Sequence, residues 1–252
     1  MVSVVRTVFT LLPLVMSVLA TICLVFVMVG DTKPSNPSHN IYFLRVNTTN
    51  IVATKAPASV SVSTIARSIG LHDFYTVGLW GYCQGDLISN TITCSDPHAF
   101  YNFNPIDIFQ QQVLKGYTIT VPSSVQQDIE NVRVASRWMF ACYFVAVVAT
   151  GTTALIGMAA LVSRIASLFA VLTALLATCF TVVASAIAQV MFIIIRNAFN
   201  NQIQLLNVPS TLGHSIFALT WVAAAANLLA FIGFAISGCC TNGRTKKNSD
   251  FR

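Results

Sequence analysis

The side chains able to do chemistry are few and scattered. The histidines are His39, His72, His98 and His214, the cysteines Cys23, Cys83, Cys94, Cys142, Cys179, Cys239 and Cys240, and the acids number eight. A catalytic metal or acid–base centre needs such groups at ligand spacing or as paired carboxylates. The sequence holds no His/Cys/Asp cluster of metal spacing, no glycine-rich phosphate loop and no serine in a nucleophile elbow. It reads as a non-enzyme with no cofactor, no catalytic or metal-binding residues and no small-molecule substrate. What remains is covalent modification. Asn47-Thr48-Thr49 is an N-glycosylation sequon, Cys239 and Cys240 suit reversible palmitoylation if they border a membrane, and Cys83 with Cys94 suits a disulfide in an oxidising compartment.

The elements that position these residues follow from composition. Hydrophobic residues make up 55% of the 252-residue chain and charged residues 9%, against roughly 25% charged in an ordinary soluble domain. Too few charges are present to solvate a surface of this size. A helix crosses a hydrocarbon core about 30 Å thick with about 20 apolar residues. Four stretches meet that length without a charge: residues 7–29, 138–162, 165–195 and 212–238. The third is long enough to tilt or to project past the bilayer. Only Ser163-Arg164 separates it from the second, so those two form a tight hairpin. The first stretch is longer than a signal-peptide core and lacks an Ala-x-Ala-like site, which favours a retained span over a cleaved leader.

Charge sets the orientation. Residues 31–137 carry seven basic and seven acidic side chains, so the +6 excess lies elsewhere. It sits at Arg6, Arg164, Arg196 and the tail bearing Arg244, Lys246, Lys247 and Arg252, mostly where anionic headgroups meet the ends of spans rather than on a nucleic-acid face. With four spans, residues 1–6, the Arg164 turn and the tail 239–252 share the cytoplasmic side by the positive-inside tendency. Loops 30–137 and 196–211 then face outward. Cys83 and Cys94 are the two cysteines of the large loop, so they are expected to pair, and Asn47 lies where a glycosyltransferase could meet it.

Between apolar helices in lipid, small residues and isolated polar bonds supply the cohesion. The third span carries Ala166, Ala170, Ala174 and Thr178 at four-residue spacing, with Thr173, Ala177, Thr181 and Ser185 beside them. The fourth carries Ala225, Gly233 and Ser237 on one stripe. These stripes are expected to pack within one bundle, with self-association as the alternative. Gln189 and Asn227 are the strongest polar groups in the spans and read as helix-to-helix hydrogen bonds; a pore or proton relay would place ionisable groups there. In the large loop, Asn104-Pro105 predicts a helix start with Gly116 at its end, and Ser123 or Ser124 caps another leading into the second span.

The loop also carries a recognisable pattern. Tyr75-Thr76-Val77-Gly78-Leu79-Trp80-Gly81-Tyr82-Cys83, followed by Cys94, resembles the Gly-Leu-Trp…Cys…Cys signature of claudin-like tetraspan proteins. Residues 40–46 (Asn-Ile-Tyr-Phe-Leu-Arg-Val), 70–75 (Gly-Leu-His-Asp-Phe-Tyr) and 135–140 (Ala-Ser-Arg-Trp-Met-Phe) resemble the fungal Sur-seven/PalI branch. The loop is longer than in claudins and the further tryptophan of their pattern has no counterpart, so paracellular sealing does not carry over. The resemblance implies an all-α transmembrane four-helix bundle with a small β-sheet-containing extracellular loop domain. In that geometry Trp80 anchors a short sheet near the headgroups, Cys83–Cys94 ties two strands, and Gly78 and Gly81 allow turns or close approach. A ligand-binding Trp80 is the minor alternative.

Function is expected along the same line: a plasma-membrane scaffold of fungal cortical patches, the eisosome-associated compartment, serving membrane organisation, endocytosis and cell-wall integrity. Its partners would be membrane lipids, other cortical-patch proteins and possible copies of itself. A PalI-like component of ambient-pH signalling is the alternative, supported by four outward histidines but opposed by a tail of fourteen residues after Gly238.

Overall fold

Four long helices and a short sheet make up most of the described backbone of the computed structural model. It describes residues 2–34, 38–49, 71–89, 91–101, 123–161, 163–202 and 209–240. The helix expected at Asn104–Gly116, residue Gly70 and the basic tail beyond Cys240 lie outside the described residues, as do the side chains of Arg6, Cys239 and Cys240.

The helices are α1 (Val2–Val29), α2 (Ser123–Ala160), α3 (Arg164–Asn197) and α4 (His214–Cys240). Each is long and apolar enough to cross a membrane. The chain is a multi-pass membrane protein of claudin-like tetraspan architecture. Helix α3 has 34 residues, about 51 Å at the α-helical rise, and α2 has 38, about 57 Å. Both outreach a hydrocarbon core of about 30 Å. The segment that opens at Ser123 and the second span are one continuous helix.

The sheet has five antiparallel strands in the order β4-β3-β2-β1-β5. They are β1 (Leu44–Asn47), β2 (Phe74–Val77), β3 (Tyr82–Asp86), β4 (Thr91–Cys94) and β5 (Ser210–Leu212). Four come from the large loop and β5 from the loop between α3 and α4. Strand β1 alternates buried Leu44 and Val46 with half-buried Arg45 and Asn47, the period-2 pattern of a one-sided strand. Strand β5 is only three residues long and is held from both sides. It pairs with β1 from Leu44↔Leu212 to Val46↔Ser210. On its other side the Asn200 amide accepts the Ser210 N–H at 3.0 Å and donates to the Ser210 carbonyl at 3.3 Å. A side-chain amide thus takes the place of a sixth strand.

The chain divides into two compact units. One comprises Met1–Val25, Cys142–Val183 and Leu219–Arg252, the other Phe26–Ala141 and Ala184–Ala218. In the first, the helical unit, Ala170 and Ala174 of α3 and Ala230 and Phe234 of α4 form a core against Met16, Ile156, Val171 and Phe231. The α3 stripe of small residues is buried at Ala170, Ala174, Ala177, Thr178 and Thr181. The α4 stripe differs from expectation. Ala225 is exposed, and the buried face runs through Ala223, Ala226, Asn227, Ala230 and Phe234. Gly233 does serve a close approach, for a Cβ there would meet Pro13 of α1 at 2.8 Å.

Asn227 carries the polar bond of this unit. Its Nδ2 donates to Thr150 Oγ1 on α2 at 3.2 Å and to Thr181 Oγ1 on α3 at 3.0 Å. Each threonine hydroxyl donates in turn to the carbonyl four residues back, Ala146 at 2.7 Å and Ala177 at 2.6 Å. Every proton in the chain of bonds is used, as a medium without water demands. Cys23 and Cys142 are buried, while Cys179 is exposed on the helix surface.

Candidate functional site

The second unit, the sheet unit, is built around a hairpin. Strands β2 and β3 pair from Phe74↔Gly85 to Val77↔Tyr82, and residues 78–81 make the connection. The Gly78 N–H donates to the Gly81 carbonyl at 2.9 Å, and the Trp80 carbonyl accepts the His98 N–H at 2.9 Å. The expected signature residues therefore occupy the turn itself. Leu79 is buried, and Trp80 sets its ring edge-on to Phe140 of α2 at 4.8 Å. Next along, Cys83 stands directly opposite Cys94 in the β3–β4 ladder, and the two are joined by a disulfide. This crosslinks β4, the outermost strand, to its neighbour.

Gly78 has a steric duty. A Cβ there would lie 2.8 Å from the Gly30 carbonyl and 2.9 Å from Asp31 Cβ. The glycine lets the turn press against the residues that follow α1, where Asp31 adopts φ 54°, a left-handed conformation that aspartate tolerates. Gly213 does the same for the start of α4, since a Cβ would fall 1.7 Å from the Tyr42 carbonyl oxygen. Between these closures Phe43 is fully buried, stacked on Phe192 at 4.9 Å and edge-on to Phe217 at 5.8 Å. Burying such a ring stabilises by about 3 kcal/mol.

Behind the signature lies a buried polar group that sequence reasoning passed over. Asp31 is 1% exposed. Its Oδ1 accepts a hydrogen bond from Thr76 Oγ1 at 3.0 Å and lies 3.5 Å from His39 Nδ1. Its Oδ2 has no hydrogen-bond partner, and His39 Nδ1 approaches Oδ1 without making a hydrogen bond. Burial pushes the Asp31 carboxyl above the ordinary carboxylate range, against the opposing pull of His39 and Thr76. Cys83 Sγ sits 3.3 Å from the Asp31 carbonyl oxygen; with the sulfur in a disulfide this is a contact and not a donated bond. The one clue in the sequence was position, an acid immediately after the apolar run that ends at Gly30.

A second polar group lies along β2 and β3. His72 Nδ1 is 3.1 Å from Asp86 Oδ2, both partly exposed. The His72 N–H donates to the Tyr75 hydroxyl at 3.0 Å, and buried Asp73 accepts the Leu87 N–H at 2.8 Å. Burial pushes the Tyr75 phenol up to about 12. His98 and His214 join neither group.

The glycosylation candidate lies apart from the signature. Asn47 pairs with Phe74, at the opposite end of the β1–β2 ladder from Val77 and the Gly78 turn. Its Oδ1 accepts both the Thr49 N–H at 3.0 Å and the Thr49 hydroxyl at 2.7 Å. Cys239 and Cys240 close α4.

The sequence model of the SUR7/PalI family matches residues 9–233. Among curated proteins, the SUR7 family protein pun1 of Schizosaccharomyces pombe is 27% identical across 84% of this chain and 88% of its own length. Protein PUN1 of Saccharomyces cerevisiae is 26% identical across 48% of this chain and 46% of its own.

Proposed function

The chain belongs to the SUR7/PalI family, and from that premise we propose that it is a non-enzymatic scaffold of cortical patches in the fungal plasma membrane. It works there by lateral assembly with lipids, other patch proteins and further copies of itself. Membrane organisation, endocytosis and cell-wall integrity depend on such patches. Both termini lie in the cytoplasm, as the basic residues at 6, 164 and 244–252 favour. The observation that carries the reading is the family match over nearly the whole chain together with a pun1 relative aligned along 88% of its length.

The physical side agrees with a packed scaffold. Between helices lined with buried alanine, Asn227 bridges Thr150 and Thr181. Large apolar side chains such as Leu12, Leu172 and Leu229 face outward, where lipid or neighbouring helices cover them. A fluorescently tagged copy imaged beside a cortical-patch marker tests the proposal. Static, co-localised puncta are the expected result, and an even spread through the membrane would sink it.

A second reading, a component of ambient-pH signalling, draws on the buried Asp31–His39 pair. It requires a deletion strain to fail under alkaline growth; normal growth there removes it.

A further inference from the structure

The disulfide does not stand alone. A carboxylate oxygen of Asp31, a ring nitrogen of His39 and Cys83 Sγ lie within 4.8 Å of one another. Two of these groups carry an unspent valence. Asp31 Oδ2 is buried without a donor, and His39 Nδ1 is buried without a hydrogen-bond partner. A carboxylate oxygen taken from water and left unbonded costs free energy, which a ligand bound there would recover. The third group is occupied, since Cys83 is bonded to Cys94.

The geometry points to a redox-gated site for a divalent cation of the zinc class, formed by Asp31, His39 and the Cys83 thiolate that reduction of the disulfide releases. Zinc-to-ligand bonds of roughly 2.0–2.3 Å place tetrahedral ligand atoms about 3.3–3.8 Å apart. The 4.8 Å cluster therefore needs a contraction of about 1 Å. Carboxylate and thiolate together carry two negative charges, which a divalent ion cancels, so the complex is neutral where burial penalises net charge. The imidazole adds a neutral nitrogen ligand, and water fills the fourth position. The His39 side chain, 14% exposed, gives the ion its way in.

The gate is thiol–disulfide exchange. A thiolate attacks Cys94 Sγ, the less buried sulfur, and Cys83 leaves as the thiolate. A second thiol resolves the mixed disulfide, so two thiols become one disulfide and Cys83 and Cys94 each end reduced. The cation then binds the Cys83 thiolate, and any proton on it goes to solvent. In the oxidised protein the sulfur has no thiolate to offer, and the site is closed.

Cobalt(II) is the probe, added to the full chain in detergent micelles. A water-soluble phosphine serves as reductant, because added thiols would bind the metal; it takes up oxygen from water as it reduces the disulfide. The reduced protein is expected to show thiolate-to-cobalt charge transfer and the visible bands of four-coordinate cobalt, and the oxidised protein neither. Cys94→Ser, which frees Cys83 without any reductant, should show the same bands, and Cys83→Ser should not. Asp31→Asn and His39→Ala should each weaken binding at least about tenfold while the far-ultraviolet circular dichroism stays unchanged. The proposal falls if reduced wild type and Cys94→Ser both lack the charge-transfer band. It also falls if oxidised protein binds as tightly, if Cys83→Ser keeps the band, or if affinity survives loss of Asp31 and His39.

Discussion

The Asn227 network of the helical unit and the Asp31 group of the sheet unit bury polar atoms by opposite means. In the helical unit Asn227 reaches Thr150 and Thr181, whose hydroxyls are already tied to their own helices. The network is neutral, short and closed. In the sheet unit the interior holds a carboxylate with an unpartnered oxygen, a histidine beside it and a disulfide. The difference follows from what the unfolded alternative offers. Helices in lipid gain little from apolar contact with one another, so small side chains and a few satisfied bonds decide their packing. A short sheet in water gains from burying Phe43, Leu44 and Leu79, but four of its five strands have four residues or fewer and need a covalent tie.

That contrast can be broken at either end. The largest effect is expected from Cys83→Ser. A disulfide with a sequence separation of 11 restrains the unfolded chain by about 3 kcal/mol, so denaturant unfolding followed by tryptophan fluorescence should shift by that much. An unchanged midpoint would mean that the sheet stands without its tie. Next comes Gly78→Ala, which forces a methyl group onto the Gly30 carbonyl and Asp31 and should cost about 2 kcal/mol by the same measurement. The helical unit should prove more forgiving. Asn227→Leu is expected to lose about 1 kcal/mol in detergent-titrated unfolding, and a double-mutant cycle with Thr181→Val isolates the bond itself. A loss above about 3 kcal/mol would show that the amide does more than pack helices.

The pH effects are smaller near neutrality and differ in window. Burial raises the Asp31 carboxyl above its ordinary value, so the folded state holds this proton more tightly than the unfolded state does. Its contribution is complete below the ordinary carboxylate range and is lost as pH rises through the raised value. Asp31→Asn should therefore flatten the decline in melting temperature as pH rises above the ordinary carboxylate range. Tyr75 has the same sign far higher. Its phenol, raised to about 12, costs stability only as pH climbs from about 10 toward that value. In a spectrophotometric titration, Tyr75→Phe should remove one tyrosine from the late-ionising fraction.

Legibility from the sequence divided along the same line as the two units. The spans, the α3 stripe at Ala170, Ala174 and Thr178 and the helix-bridging role of Asn227 were readable, because a helix in lipid advertises itself through local composition. The α4 stripe was misread at Ala225, since a helix that is apolar all round gives no periodic signal to show which face turns inward. In the sheet unit the Gly78-Leu79-Trp80 turn and the Cys83–Cys94 pair were legible as a pattern. Strand β5 was not, for three residues held by Asn200 and β1 carry no period of their own.

By itself the sequence determined that this chain crosses a membrane four times, that a neutral loop carries its signature, and which two cysteines of that loop would meet. Those conclusions rest on composition, charge and counting, which act residue by residue. Tertiary structure alone decided that Asp31 and His39 lie beside Cys83. Residues 31, 39 and 83 are brought together by a turn after α1 and a hairpin that Gly78 allows to approach, and no local pattern encodes such a meeting. The disulfide expected as a simple staple thereby becomes one wall of a buried polar site.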